Sequence, residues 1–190
     1  DATLALTAGD LTINQSITAG TATVSLSTPA GKLTEAGGVA SAAPNISAGQ
    51  LYVGARDSSL LNNDNVVGTL AASITAGNLE FRNTTGLDIG QVAVTARSAQ
   101  ADGSVTTAVS NRNGLTATNA GSGKVALQLT SGNLTQSQDI TVTGLQLDLT
   151  GGEQLLRDER RAHRLSRVAL LRVLHASHDH IVGELELFTL

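Results

Sequence analysis

The sequence predicts an all-β chain: a parallel β-helix, a solenoid of stacked turns, followed by a short helical C-terminal tail. Three observations carry this reading. The ten-residue phrase Gly-x-Leu-Thr-x-x-Gln-x-Ile-Thr occurs at Gly9–Thr18 and again at Gly132–Thr141, with looser echoes between them. Internal repetition of this kind is the mark of supersecondary units that bury their apolar faces on one another. Short runs of alternating apolar and polar residues recur between Gly- and Asn-rich corners. Apolar content comes from Ala, Val, Leu and Ile, with only Tyr52, Phe81 and Phe188 as aromatics and no Trp, Met or Cys. A core so poor in aromatics has to be thin and regular.

In chain order, the period-two runs are Thr3–Leu6, Leu11–Ile13, Thr23–Leu26, Leu51–Val53, Leu79–Phe81, Val92–Val94, Val125–Leu129 and Leu145–Leu149. Turn-forming residues follow each of them within a few positions. Pro29 and Pro44 both fall between runs, where a missing N–H costs no ladder hydrogen bond. The register of the repeat is read by subtraction. Ile17, Ile46 and Ile74 each open an Ile-x-Ala-Gly corner and are spaced by 29 and 28 residues. Leu51, Leu79 and Leu145 follow Ile46, Ile74 and Ile140 by five. A longer match aligns Val24, Leu26, Gly31, Leu33, Thr34 and Glu35 with Val125, Leu127, Gly132, Leu134, Thr135 and Gln136 at constant offset. Such a pattern suits strands that pair with their equivalents one turn away, roughly 4.8 Å along an axis. Turns of about 20–30 residues give on the order of six turns in 150 residues, a rod about 30 Å long.

The chain divides at Gly151-Gly152. Residues 1–150 carry six basic and ten acidic residues and no His; residues 151–190 pack six of each sign and all four His into a quarter of that length. The first region is read as the β-helix and the second as a charged, His- and Arg-rich tail. Glu153–Ala176 has an amphipathic helical pattern, with Leu155, Ala162, Leu165, Val168, Ala169 and Leu171 set against six arginines. The tail is read either as a cap over the last open turn, with its arginines on a solvated face, or as an out-of-frame extension.

A net charge of −4 argues against a nucleic-acid partner, which requires a basic stripe. No run of 18 apolar residues predicts a membrane span. The absence of Cys removes disulfides and thiolate metal sites. The chain starts at Asp1 without a signal-peptide pattern and is read as a segment of a longer protein.

The repeat phrases resemble the repeat region of filamentous-haemagglutinin-like large exoproteins, the two-partner-secretion adhesins of Gram-negative bacteria. The residues that carry this resemblance are Ser131–Gln136 with Asp139–Val142, and Asn65–Ala72 leading into Gly77–Phe81 and Gly86–Val92. The likeness covers residues 1–150. It implies a right-handed β-helix on, or released from, the outer cell surface, serving attachment to a host or neighbouring cell or cell–cell aggregation. It also implies an outer-membrane transporter as partner during export. The transporter-recognised secretion domain of the family has no counterpart here, nor does residues 151–190 match the family's repeats.

The chemistry-bearing groups point to no site: no catalytic, cofactor-binding or metal-ligating residue is expected, and no cofactor. His175, His178 and His180 are the only metal-capable cluster, but their spacing fits neither a dinuclear zinc hydrolase nor His-Glu-x-x-His, and they are read as exposed. Carbohydrate-cleaving enzymes also use parallel β-helices, and a carbohydrate-binding or -cleaving protein is the alternative reading. Such cleavage needs clustered carboxylates. Asp57, Asp64, Glu80, Asp88 and Asp102 are instead scattered singly among turn formers. Thr-x-Thr at Thr21–Thr23, Thr116–Thr118 and Thr141–Thr143 is too irregular for an ice-binding face. The Asn-x-Ser/Thr matches at Asn14, Asn45, Asn83 and Asn133 follow from composition, and Asn62–Asn65 reads as a polar corner.

Overall fold

The computed structural model describes residues 1–37, 45–57, 59–117 and 123–149, together with the backbone of two short strands, 154–156 and 172–174. The first part of the chain forms β1 (Ala2–Ala5), β2 (Leu11–Ile13), β3 (Ile17–Thr18), β4 (Thr23–Thr28), β5 (Leu33–Glu35), β6 (Ile46–Ala55) and β7 (Ser59–Ile74). Next come β8 (Leu79–Asn83), β9 (Leu87–Ile89), β10 (Gln91–Ala99), β11 (Val105–Asn113) and β12 (Leu115–Ala117). The chain continues through β13 (Lys124–Leu129), β14 (Leu134–Gln136), β15 (Ile140–Val142), β16 (Gly144–Leu149), β17 (Gln154–Leu156) and β18 (Arg172–Leu174). No helix occurs among the described residues.

Sixteen of these strands form one sheet, and every pairing described within it is parallel. Two ladders meet at β7. One runs β1-β4-β6-β7 and continues through β9 and β12 to β14 and β15. The other runs β2-β5-β7-β8-β13-β16-β18. The sixteen-residue β7 serves both: Ser59–Leu61 and, after a register shift, Asn65 pair with β8, and Val66–Ile74 pair with β6. Among the described residues the pairings bend the sheet but do not close it into a circuit.

The core consists of columns in which one inward side chain lies over another. In the first ladder Leu26, Val53, Ala72 and Leu115 share a column, and Val24, Leu51, Leu70 and Ile89 share the next. In the second, Leu61, Phe81, Leu127 and Leu147 are in register. All twelve are buried, and strict alternation sends their neighbours outward, as a two-residue period requires. The repeated sequence phrase has a local cause as well. Gly9 (φ +84°) and Gly132 (φ +76°) open its two copies in the left-handed region that only Gly adopts without cost.

The structure corrects the register read by subtraction. Ile46 does pair with Ile17, but Ile74 pairs with Ala55, because the step from β6 to β7 takes only 19 residues. Similarly, Val24 lies in the first ladder and Val125 in the second, so their shared motif reflects common inward-facing chemistry and not stacked equivalence.

A second correction concerns Val92–Val94. These residues are a strand, but not a step of the parallel stack. Gln91–Ala99 and Val105–Asn113 pair with each other as an antiparallel ribbon outside the main sheet. The ribbon interrupts a strand. Ile89 pairs with Leu70 and Leu115 with Ala72, so the 23 residues Gln91–Asn113, with Gly90 and Gly114 at their ends, stand where Ala71 is a single residue on β7. Gly90 N–H donates to Leu70 O and Gly114 N–H to Gly90 O, so the two ends stay tied. Gly114 (φ +61°) has no room for a Cβ, which would overlap the Asp139 carbonyl oxygen. The local Gln100–Ser104 turn explains the choice: Gln100 N–H donates to Ser104 O at 2.8 Å, and Asp102 Oδ1 accepts from Ser104 N–H at 2.9 Å.

The amphipathic helix expected over 153–176 is also overturned at both ends. Gln154–Leu156 extend along β14, and Arg172–Leu174 along β16. Each ladder otherwise ends there in unpaired N–H and C=O groups, and a strand satisfies them where a helix does not. Residues 157–171 of that expectation lie outside the described residues.

Core and surface positions on these ladders should respond very differently to truncation. Leu127→Ala, in the Phe81 column, should lose about 2–5 kcal/mol in urea unfolding. Leu60→Ala, on an outward and 40% exposed position of β7, should stay within about 0.5 kcal/mol of the parent.

Candidate functional site

The outer face of the second ladder carries rows of polar side chains in register. Alternation points Glu80 and Arg82 outward from β8, Ala126 and Gln128 from β13, and Gln146 and Asp148 from β16. In register they form two rows, Glu80–Ala126–Gln146 and Arg82–Gln128–Asp148. Arg82 Nη2 lies 2.9 Å from Asp64 Oδ1, both half-buried, and Gln128 Nε2 donates to Asp148 Oδ2 at 3.0 Å. The small Ala126 side chain leaves a dip between Glu80 and Gln146. Two adjoining depressions of about 320 and 220 Å³ share these three residues; Asn78 and Lys124 line the first, Arg82, Gln128 and Asp148 the second. The result is a shallow row of amide, carboxylate and guanidinium groups that can both donate and accept hydrogen bonds.

The acids singled out in the sequence do not converge. Asp64 is held by Arg82 and Asp57 by Arg56, whose Nε lies 3.1 Å from Asp57 Oδ1. Asp88 accepts from Thr135 Oγ1 at 3.0 Å and Ser137 Oγ at 2.7 Å on the adjoining strand segment. Asp102 is a turn former: hydrogen bonds from the Ser104 hydroxyl and N–H hold its carboxyl below the ordinary range. Among the described residues no three His, Cys, Asp or Glu side chains converge as a metal site. His175, His178 and His180 lie outside the described residues. Thr116 and Thr141 are in register, whereas Thr118 lies outside the described residues.

The Asn62–Asn65 corner is largely interior. Asn63, Asn65 and Asn83 are fully buried, and Asn65 pairs with Asn83 in register. Asn65 Oδ1 accepts from Ile46 N–H at 2.7 Å, and Asn83 Oδ1 from Val67 N–H at 2.9 Å. These amides complete backbone hydrogen bonds at a bend where the ladder breaks register, so Asn83 is a structural residue and not an accessible glycan acceptor.

Sequence reasoning passed over Glu35. It falls in the column of Ile13 and Leu61, an apolar position, and is only 7% exposed. Oε2 accepts from Asn63 N–H at 2.9 Å and Asn65 Nδ2 at 3.4 Å, while Oε1 finds no partner among the described residues. Burial pushes the carboxyl up to about 7, with the two hydrogen bonds acting in the opposite direction. Its one mark in the sequence is an acid in a slot that the neighbouring strands fill with Ile13 and Leu61.

The ribbon's base forms a second polar and aromatic cluster. Val92 and Val94 are buried against Ala71 and Tyr52, and the Arg112 guanidinium carbon lies 5.0 Å from the Tyr52 ring centre. Gln50 Oε1 accepts from Ala93 N–H at 3.3 Å and Thr23 Oγ1 at 3.2 Å. Beyond Thr95 the ribbon is exposed throughout.

Comparison with protein-family models, curated proteins and solved structures finds no match to this chain.

Because the Glu35 carboxyl binds its proton more tightly folded than unfolded, its contribution favours the folded state most below pH 4.5 and is lost as pH rises through about 7. Glu35→Gln should remove a pH-dependent loss on the order of 3 kcal/mol, read as the difference between parent and variant urea midpoints from pH 4 to 8. Parallel midpoints across that range would refute the assignment.

Proposed function

We propose that this chain is a segment of the repetitive shaft of a secreted surface exoprotein of a Gram-negative bacterium, wound as a right-handed parallel β-helix. It resembles the filamentous-haemagglutinin-like adhesins in its repeat phrases. Its task on this reading is to extend, to resist proteolysis through continuous ladder hydrogen bonding, and to present a surface for attachment or aggregation. An outer-membrane transporter is its partner during export. The observation that carries the reading is the long parallel ladder with columns of medium-sized apolar side chains packed on one another.

A second reading, carbohydrate binding or cleavage, draws on the two adjoining depressions around Glu80, Ala126 and Gln146. Under it, the face across β8, β13 and β16 is a sugar-binding groove.

Beads coated with the purified protein should adhere to cultured cells, or to one another, above beads coated with an unrelated β-rich protein. Equal adhesion would remove the adhesive role. The second reading has its own test. Ala126→Arg fills the depression without touching the inward columns, so it should abolish any glycan-array signal while leaving the unfolding midpoint unchanged. Release of reducing sugar by the parent protein would favour the enzyme.

A further inference from the structure

We propose that the β10–β11 ribbon is a self-association device: the free edge of β11 pairs antiparallel with the β11 edge of a second copy of this chain, about a two-fold axis at Thr107.

The parity of the hydrogen bonds defines which groups are free. Gln100 N–H donates to Ser104 O, so in this antiparallel ribbon the even-numbered pairs (Ser98 with Thr106, Ala96 with Ala108) exchange hydrogen bonds. The odd-numbered residues then turn their N–H and C=O groups away from the ribbon. Ala93 on β10 has this parity, and its N–H leaves the ribbon to reach Gln50. On β11 the outward groups belong to Val105, Thr107, Val109 and Asn111. The ribbon has two strands only, so this edge has no ladder partner among the described residues.

The edge lacks the usual protection. Natural proteins blunt such edges with Lys, Pro, a bulge or a cover. Val105–Asn111 contains no charge and no Pro, and every residue of β11 is exposed. Val105 and Val109 are 61% and 63% exposed, the highest among the large apolar residues described. Both lie on the same ribbon face as Thr107.

A second copy fits this edge by register and by charge. With Thr107 opposite Thr107 of the second copy, Val105 stands opposite Val109 in both halves, so two valine pairs flank the Thr107 pair on one face. All three pairs join residues whose backbone groups point outward, giving about six new N–H···O=C bonds, two for each pair. The same register carries Arg112 to the level of Asp102 at the tip of the neighbouring ribbon. Hydrogen bonds from the Ser104 hydroxyl and N–H hold that carboxyl below its ordinary range. The product is a four-stranded antiparallel sheet with its two-fold axis at the centre, an isologous contact that closes on itself.

The test needs the chain as it stands, which is free of Cys. Sedimentation velocity over a concentration series should give a reversible dimer. Thr107→Cys should cross-link into a disulfide dimer under mild oxidation, because a directly opposed pair lies about 5.5 Å apart at Cα, within disulfide reach. Ser98→Cys, on β10 away from the axis, should not. Thr107→Pro removes an outward N–H while sparing every bond inside the ribbon, and Val109→Lys places a cation against Val105 in each valine pair; each should raise the dimer dissociation constant about tenfold or more. A monomer at every concentration overturns the proposal. So does a dimer insensitive to both substitutions, or a monomer whose β11 edge instead captures an added extended peptide of different sequence.

Discussion

The constraint on which the rest of this structure depends is parallel register. When strands pair in parallel at roughly 4.8 Å, each inward side chain has a fixed neighbour on either side and very little freedom to choose another. Leu61, Phe81, Leu127 and Leu147 share one such column, and a change at one is felt by both neighbours because nothing else fills the space. That accounts for the narrow palette of the chain. Leu, Ile, Val and Ala fit a slot of this height, and among the described residues Phe81 is the one large ring admitted to the stack. Specificity therefore comes from adjacency and not from the shape of any individual residue.

Where register breaks, polar groups take over. The shift within β7 leaves backbone donors with no strand opposite them, and Asn65 and Asn83 supply the missing acceptors from inside. Glu35 joins the same network. A carboxyl with one oxygen satisfied and one without a described partner is an expensive occupant of an apolar column, which is why its proton is held so firmly. The bend and the buried acid belong to one local solution: the acid accepts from Asn63 N–H, a group the irregular strand itself displaces from the ladder.

The all-β class, the parallel strands and most strand positions were legible in the alternation and in the repeated phrase, because a two-residue period and a Gly with positive φ leave direct marks on sequence. Exact stacking was not. The Ile-x-Ala-Gly corners look equivalent at Ile46 and Ile74, yet a 19-residue step places Ala55 beside Ile74. Sequence similarity reports the kind of slot, and only the lengths of the corners decide which slot lies above which. Val92–Val94 carried the right period for a rung, but nothing in that period distinguishes a parallel neighbour from a hairpin partner; the Asp102-Gly103 turn and the β-branched Val105–Val109 were the available signal. At the tail, a helical pattern lost to open ladder ends at Gln154–Leu156 and Arg172–Leu174. For the candidate face, Glu80 and Arg82 could be named as outward residues, whereas their alignment with Gln146 and Asp148 depends on two crossings that no spacing rule reveals.

The insertion between Gly90 and Gly114 separates two design problems that a continuous coil would have to solve together. Since the chain departs and returns within the width of a single residue, with Gly114 N–H bonded to Gly90 O, whatever hangs between them adds no length to the coil and shifts no neighbour above or below. Lengthening or shortening the excursion beyond Thr95 is thereby uncoupled from the packing of the trunk, whereas its base, seated on Ala71 and Tyr52, is not. A lineage, or an engineer, can vary the exposed outer part of the appendage while the scaffold that carries it stays the same.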